Sequence, residues 1–246
     1  MEQTKERVFQ ASSLVALVAV WELLARALDV SALPPPTQVV VVLYDLLADG
    51  TAFGPLASTL RRTALGFLLG FGAGVLYGIV VYVYPRFGDV SRGLFDIAMF
   101  TPTLVIIFLG LIMLGSNDYT VVILVGFVIS TNVGTYMRDA LRDFDQDLVG
   151  MAVSYKAALP QRVRAMYVPY LIPPMLAAGR IGFSLAWKVA FLCEVFGFPE
   201  GLGWELRASY QIYDMPTLLA WLSLFIITLL VVEQLTRFAE RSVVRW

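Results

Sequence analysis

The chain has 246 residues, 59% of them hydrophobic and only 15% charged, whereas a soluble domain carries about 25% charged residues; the surplus apolar side chains must therefore face lipid. A net charge of −1 without a Lys or Arg run excludes a phosphate-neutralising nucleic-acid binder. The absence of histidine, with a single cysteine at Cys193, excludes an internal disulfide and removes the usual general base, metal ligand and imidazole-activated nucleophile.

A membrane-spanning helix needs about 20 mostly apolar residues. Six stretches qualify, near Phe9–Leu28, Thr63–Tyr84, Ile97–Leu114, Thr120–Met137, Tyr170–Val195 and Thr217–Leu235. The first follows a charged start (Glu2, Lys5, Glu6, Arg7) and lacks a small-residue cleavage site, so it reads as a retained span. Within it Glu22 and Arg26, four residues apart, form a self-neutralising pair. The turn Leu33-Pro34-Pro35-Pro36 then leads into a short helix, Thr37–Leu47, for which Thr37 is the expected cap.

Arg61 and Arg62 precede the second span and are expected to snorkel at the interface. Inside that span Gly66, Gly70, Gly74 and Gly78 repeat every four residues, a stripe that lets another helix approach closely. The third span is short and has Pro102 near its start. The fourth carries Ser130, Thr131 and Asn132 near its middle, and Ser130 and Asn132 are candidate pathway residues as well as candidate interhelix bridges.

Between the fourth and fifth spans, residues 138 to 167 are too polar to cross a bilayer. Leu148, Met151, Ala152 and Tyr155 recur there at helical spacing and give a short amphipathic helix that Pro160 should end. Such a face can lie on lipid or dock in a groove on a protein, and its mixed-sign flanks favour a protein.

The fifth span contains Arg180, whose charge costs about 2.5–3.5 kcal/mol on insertion scales unless it faces protein or water. It could attract an anion, or pair with Glu194, Asp96 or a helix-end carbonyl. Lys188 lies about 80° around the helix from it and could share its polar face or snorkel outward. Positive loops stay cytoplasmic. With both ends inside, Lys5, Arg7, Arg86, Arg92, Arg138, Arg142, Lys156, Arg162, Arg164, Arg237, Arg241 and Arg245 all fall on the inner side, while the outer loops hold only Arg207.

The segment from Pro169 onward is the most specific. Pro173 follows four residues later and Arg180 eleven; then come Trp187, Glu194 seven beyond it, and the turn Gly201-Leu202-Gly203. This set resembles the binding-protein-dependent permeases of type I ABC importers, in the branch serving sulfonates, taurine, nitrate, bicarbonate and vitamin precursors. Leu33-Pro34-Pro35-Pro36, and Arg62 with Gly66 and Gly70, extend the likeness over nearly the whole chain.

The resemblance implies an all-α permease fold of six transmembrane helices as a single domain over residues 1–246, in a bacterial inner membrane. It further implies a second permease copy as a homodimer, two cytoplasmic ATPase subunits and an external substrate-binding protein. ATP and Mg²⁺ are expected on the ATPases, since no Gly-x-x-x-x-Gly-Lys-Ser/Thr loop occurs here; no cofactor, metal or catalytic residue is expected in this chain. The helix near Asp147 to Ala158, with Leu148, Met151, Ala152, Tyr155, Lys156 and Ala157, would contact the ATPase. One departure stands out: where the family's cytoplasmic signature has Glu and Gly, this chain has Gly150 and Lys156, which suggests a divergent interface, a dedicated ATPase or a heteromeric partner. The rival reading, an ATP-independent transporter or channel, would call for an intramembrane proton relay or an internal repeat, and neither is evident in the sequence.

Overall fold

The computed structural model describes residues 2–28 and 30–243, with side chains described from Ser12 to Phe238 apart from Asp29, and also at Phe9. Lys5, Arg7, Arg241 and Arg245, used above for orientation, lie outside the described side chains. Among the described residues every regular element is a helix: α1 (Glu2–Leu28), α2 (Pro36–Ala48), α3 (Phe53–Val83), α4 (Pro85–Phe100), α5 (Thr103–Leu114), α6 (Asp118–Arg142), α7 (Gln146–Ser154), α8 (Leu159–Arg162), a π-turn (Val163–Tyr167), α9 (Val168–Gly197), α10 (Leu202–Gln211) and α11 (Met215–Val243). Among the described residues, four segments are long and apolar enough to cross a membrane, 53–83, 118–142, 159–197 and 215–238.

The third expected span is not one helix. It is the pair α4 and α5, bent by 98° at the Thr101-Pro102 break. Proline clashes with a helical conformation at the residue before it, and Thr101 accordingly sits at φ −71°, ψ 127°. Counting that pair as one span gives five. The remaining expected span, Phe9–Leu28, falls in α1, 27 residues long, which is not among these five; its Leu14, Val15, Leu17, Val18, Val20, Leu23 and Leu24 are all exposed.

α3 begins ten residues earlier than the hydropathy suggests, at Phe53. Pro55 fits its first turn because the first four N–H groups of a helix have no intrahelical acceptor. α6 starts more sharply: the Asn117 side chain accepts from the Thr120 amide at 3.0 Å, the usual asparagine N-cap. α2 begins at Pro36, which leaves Thr37 inside the helix, not at its cap.

α6 is the central post, with 61% of its apolar window buried against 17% for α11. It meets α3 along the glycine stripe. A Cβ on Gly70 would lie 2.4 Å from the Gly126 carbonyl oxygen and 2.7 Å from Ile129 Cβ; one on Gly78 would lie 2.5 Å from Met137 Cβ. The stripe's neighbour is thus in this chain, and the backbones touch because no side chain separates them. One core joins Val121, Val125, Ile129, Val133 and Met137 of α6 to Ala186, Val189 and Ala190 of α9. A second places Trp187 with Leu202, Trp221 and Leu224.

Candidate functional site

The chain presents three polar or amphipathic regions. The first lies where the N-terminus of α6, the C-terminus of α9 and the loop before α10 converge on α3. Arg62 is fully buried there, contrary to the expectation that it snorkels, because α3 starts early enough to carry it into the bundle. Its Nη1 donates to Glu194 Oε1 at 2.8 Å and to the Glu200 carbonyl at 3.0 Å, its Nη2 to Glu200 Oε2 at 3.0 Å and its Nε to Asp118 Oδ1 at 2.7 Å. The guanidinium also lies 4.1 Å from the Phe198 ring centroid. Arg61, exposed, donates to the other oxygen of Asp118.

Glu194, also fully buried, accepts from the Thr59 hydroxyl at 2.8 Å and the Gly203 amide at 3.1 Å. The turn wraps around this carboxylate. Gly201 has φ +107°, and a Cβ there would lie 2.3 Å from the Glu194 carboxyl; one on Gly203 would lie 2.4 Å from the Phe191 carbonyl oxygen. Trp187 is buried too, donating from Nε1 to the Phe225 carbonyl at 3.2 Å and stacking on the Phe225 ring. These residues hold α3, α6, α9 and α10 together. Asp118 and Glu200 were not singled out from the sequence, where Asp118 beside Asn117 carries only a helix-start signal.

The second region is α7. The Asp145 side chain accepts from the Asp147 amide at 2.9 Å and caps it. No residue of α7 is buried; Leu148 is 43% exposed, Met151 54% and Tyr155 82%, so the apolar stripe has no cover within the described chain. The helix does not end at Pro160, which instead opens α8. It ends at Ser154 with Tyr155 as its C-cap, and the next residue, Lys156, lies in the left-handed region at φ +56°, with the Lys156 amide donating to the Val153 carbonyl at 2.8 Å and the Ala157 amide to the Ala152 carbonyl at 3.0 Å. This is the C-terminal turn that favours glycine, and it gives a physical reason for a glycine at the corresponding signature position. Gly150, at the other departure, has nothing within 4 Å of where a Cβ would stand.

The third region is a cleft of about 620 Å³ between α9 and α11, lined by Arg180, Ser184, Lys188, Glu233, Thr236 and Arg237 among others. The structure brings Arg180 and Lys188 together here, as their spacing suggests. Glu194, one expected partner for Arg180, is instead held by Arg62. Ser130 donates to the Phe127 carbonyl at 2.8 Å and Asn132 to the Val128 carbonyl at 2.8 Å, so both bond back along α6 and bridge no other helix in this way. In α1, Glu22 pairs with Arg26 at 2.5 Å as expected. Glu22 also accepts from the Thr37 amide at 3.1 Å and hydroxyl at 2.9 Å, which is why Thr37 serves α1 and not its own helix start.

Residues 66–245 match the family model of the binding-protein-dependent transport system inner membrane component. The chain is 24% identical over 234 residues, 94% of its length and 84% of the relative's, to a Bacillus subtilis protein named as an aliphatic sulfonates transport permease. It is 24% identical over 254 residues, 99% of its length and 91% of the relative's, to the taurine transport system permease of Escherichia coli. Among solved structures it resembles a chain of the MetNI methionine ABC transporter in an inward-facing conformation, with TM-score 0.67 and 17% identity over 76% of this chain and 94% of that one.

Proposed function

Since the chain belongs to the binding-protein-dependent transport system inner membrane components and is the permease subunit of an ABC importer, not itself an enzyme, we propose that α7 is the surface through which it takes up the motion of its ATPase. The observation that carries this is the uncovered stripe of Leu148, Met151 and Tyr155, with Ala152, Lys156 and Ala157 completing the contact. An apolar helix face presented to a groove is a recurring mode of protein docking. Closure of the ATPases would push α7 and rock α6 and α9, which flank its loop, about the midplane.

The importer works with an ATPase and a binding protein; its finer assembly is two permease copies, two ATPase subunits carrying ATP and Mg²⁺, and one external binding protein. The chain acts as one transmembrane unit over residues 1–246 in a bacterial inner membrane, with both termini cytoplasmic, a reading supported by the Lys and Arg asymmetry of its loops. Arg180 and Lys188 line the side of the pathway, with Ser130 and Asn132 further candidates on α6. The substrate is a small organic or inorganic anion, with a vitamin precursor as the alternative. Arg180 and Lys188 on the wall of the α9–α11 cleft, where Glu233 pairs with Arg237 at 2.7 Å, and relatives named for sulfonates and taurine, support the anion.

The test is ATP hydrolysis by the chain reconstituted in liposomes with the ATPase and binding protein encoded beside it. Hydrolysis stimulated by loaded binding protein, and lost in Tyr155→Asp, is the expected result. Solute movement by the chain alone, without ATP, would overturn the reading in favour of a secondary transporter.

A further inference from the structure

A second cleft, of about 760 Å³, opens at the opposite end of the bundle from the Arg62 network, where the C-termini of α3 and α6 meet the start of α4 and the base of α7. Arg92 from α4 and Arg138 and Arg142 from α6 line it, against a single lining carboxylate, Asp89. Arg138 is ion-paired with Asp139, whereas Arg92 and Arg142 have no ion pair among the described residues. Asp139 takes only the Nε of Arg138, at 2.9 Å, and Asp145 is spent on capping α7. Arg138 is 18% exposed, and its Nη1 is buried without a hydrogen-bond partner. Arg162 Nε and Arg207 Nε are buried in the same way, so what sets this cleft apart is the convergence of three arginines on one wall. Gln146, at the base of α7, lies in the same wall with its amide nitrogen donating to the Tyr82 hydroxyl at 3.3 Å and the Phe144 carbonyl at 3.1 Å, and Val81, Pro85 and Val149 supply apolar flanks.

We propose that this cleft is a binding site for a phosphoryl oxyanion. Guanidinium forks match the oxygens of a phosphate in pairs, and basic pockets between helices at the cytoplasmic interface suit anionic headgroups. The same chemistry fits the phosphodiester of an anionic lipid and a free phosphate. Either would tie α4 to α6 beside the root of α7.

The test is thermal unfolding of the full chain in phosphatidylcholine nanodiscs at constant ionic strength. Inorganic phosphate is titrated in one arm, and phosphatidylglycerol replaces part of the lipid in graded amounts in the other. The chain and an Arg86→Gln control, altered at an arginine outside the cleft, should gain stability in at least one arm. In Arg138→Gln/Arg142→Gln the half-effective amount should rise about tenfold, as expected for losing charge-assisted hydrogen bonds. A response to phosphate assigns a soluble oxyanion, and a response to phosphatidylglycerol alone assigns a lipid headgroup. No response in either arm, a response the double variant retains in full, or one that Arg86→Gln loses equally would overturn the proposal. Should the double variant fail to fold, Arg92→Gln, altered on an exposed side chain, serves in its place and should weaken the response in the same direction.

Discussion

The two ends of the bundle are built on opposite principles. At the Arg62 end, charged groups are buried and each has several partners: Arg62 binds Glu194, Asp118 and Glu200, and Glu194 binds Thr59 and Gly203 as well. At the α7 end, the apolar side chains Leu148, Met151 and Tyr155 stand exposed; buried arginine nitrogens without a partner occur towards both ends, Arg138 Nη1 and Arg162 Nε here and Arg207 Nε near the other. The Arg62–Glu194 cluster is closed within the chain, whereas the apolar face of α7 is left to be covered by something outside it. Substitutions should therefore separate cleanly, costing stability at one end and coupling at the other.

The largest effect is expected at Arg62. Arg62→Met strands the Glu194 carboxylate, and removing one partner of a buried pair costs about 3–5 kcal/mol. Thermal unfolding of the purified chain should register this loss, and adding Glu194→Met should recover part of it, because the double variant leaves no uncompensated charge inside. If Arg62→Met unfolds like the parent, the closed-network account of that end fails.

Next comes the α3–α6 contact. Gly70→Ala drives a methyl into the Gly126 carbonyl and Ile129 and should cost about 1–3 kcal/mol by overpacking, whereas Gly72→Ala meets nothing within 4 Å and should be neutral. Equal melting temperatures for the two variants would show that the helices are not in contact through the stripe.

Smaller effects belong to the α7 end. Lys156→Gly relieves a left-handed residue at φ +56° and should stabilise by about 1 kcal/mol. Gly150→Glu should change stability by less than about 0.5 kcal/mol, as an open surface position allows. Chemical denaturation resolves both, and a destabilised Lys156→Gly would mean that the turn does not form.

The smallest effect concerns pH. Burial pushes the Glu205 carboxyl above its ordinary range, so the folded chain holds this proton more tightly than the unfolded chain does. Its contribution is fully present below the unfolded carboxylate pKa and fades as pH rises through the raised folded value. Glu205→Gln should flatten that part of the stability–pH curve, and an unchanged slope would show that the group is effectively solvated.

Much of this was legible in residue order, since hydropathy placed α3, α6, α9 and α11 to within a few residues at most ends, and the glycine stripe announced a close helix contact. The bend between α4 and α5 had its signal in Pro102, but apolar composition runs on across the break and hides it. Arg62 was misread because one helix in isolation shows an arginine near an interface. Its partner Glu194 stands 132 positions away, and no local spacing reveals that distance closing. The Pro169 to Gly203 pattern pointed to Glu194 as a support of the Gly201-Leu202-Gly203 turn, and the Gly203 amide does donate to that carboxylate, but not to Arg62 as the partner enclosed with it. Tyr155 and Met151 were readable as an amphipathic face, whereas the orphaned Arg138 nitrogen emerges only from packing.

The central claim is that the exposed face of α7 is a docking surface, and it is most directly tested by labelling. With Cys193, buried in the core, replaced by Ala, a single cysteine introduced as Met151→Cys would be treated with a maleimide in the permease alone and in complex with its ATPase. Fast labelling in the isolated chain and strong protection in the complex is the expected result. Equal labelling rates in both would contradict the account.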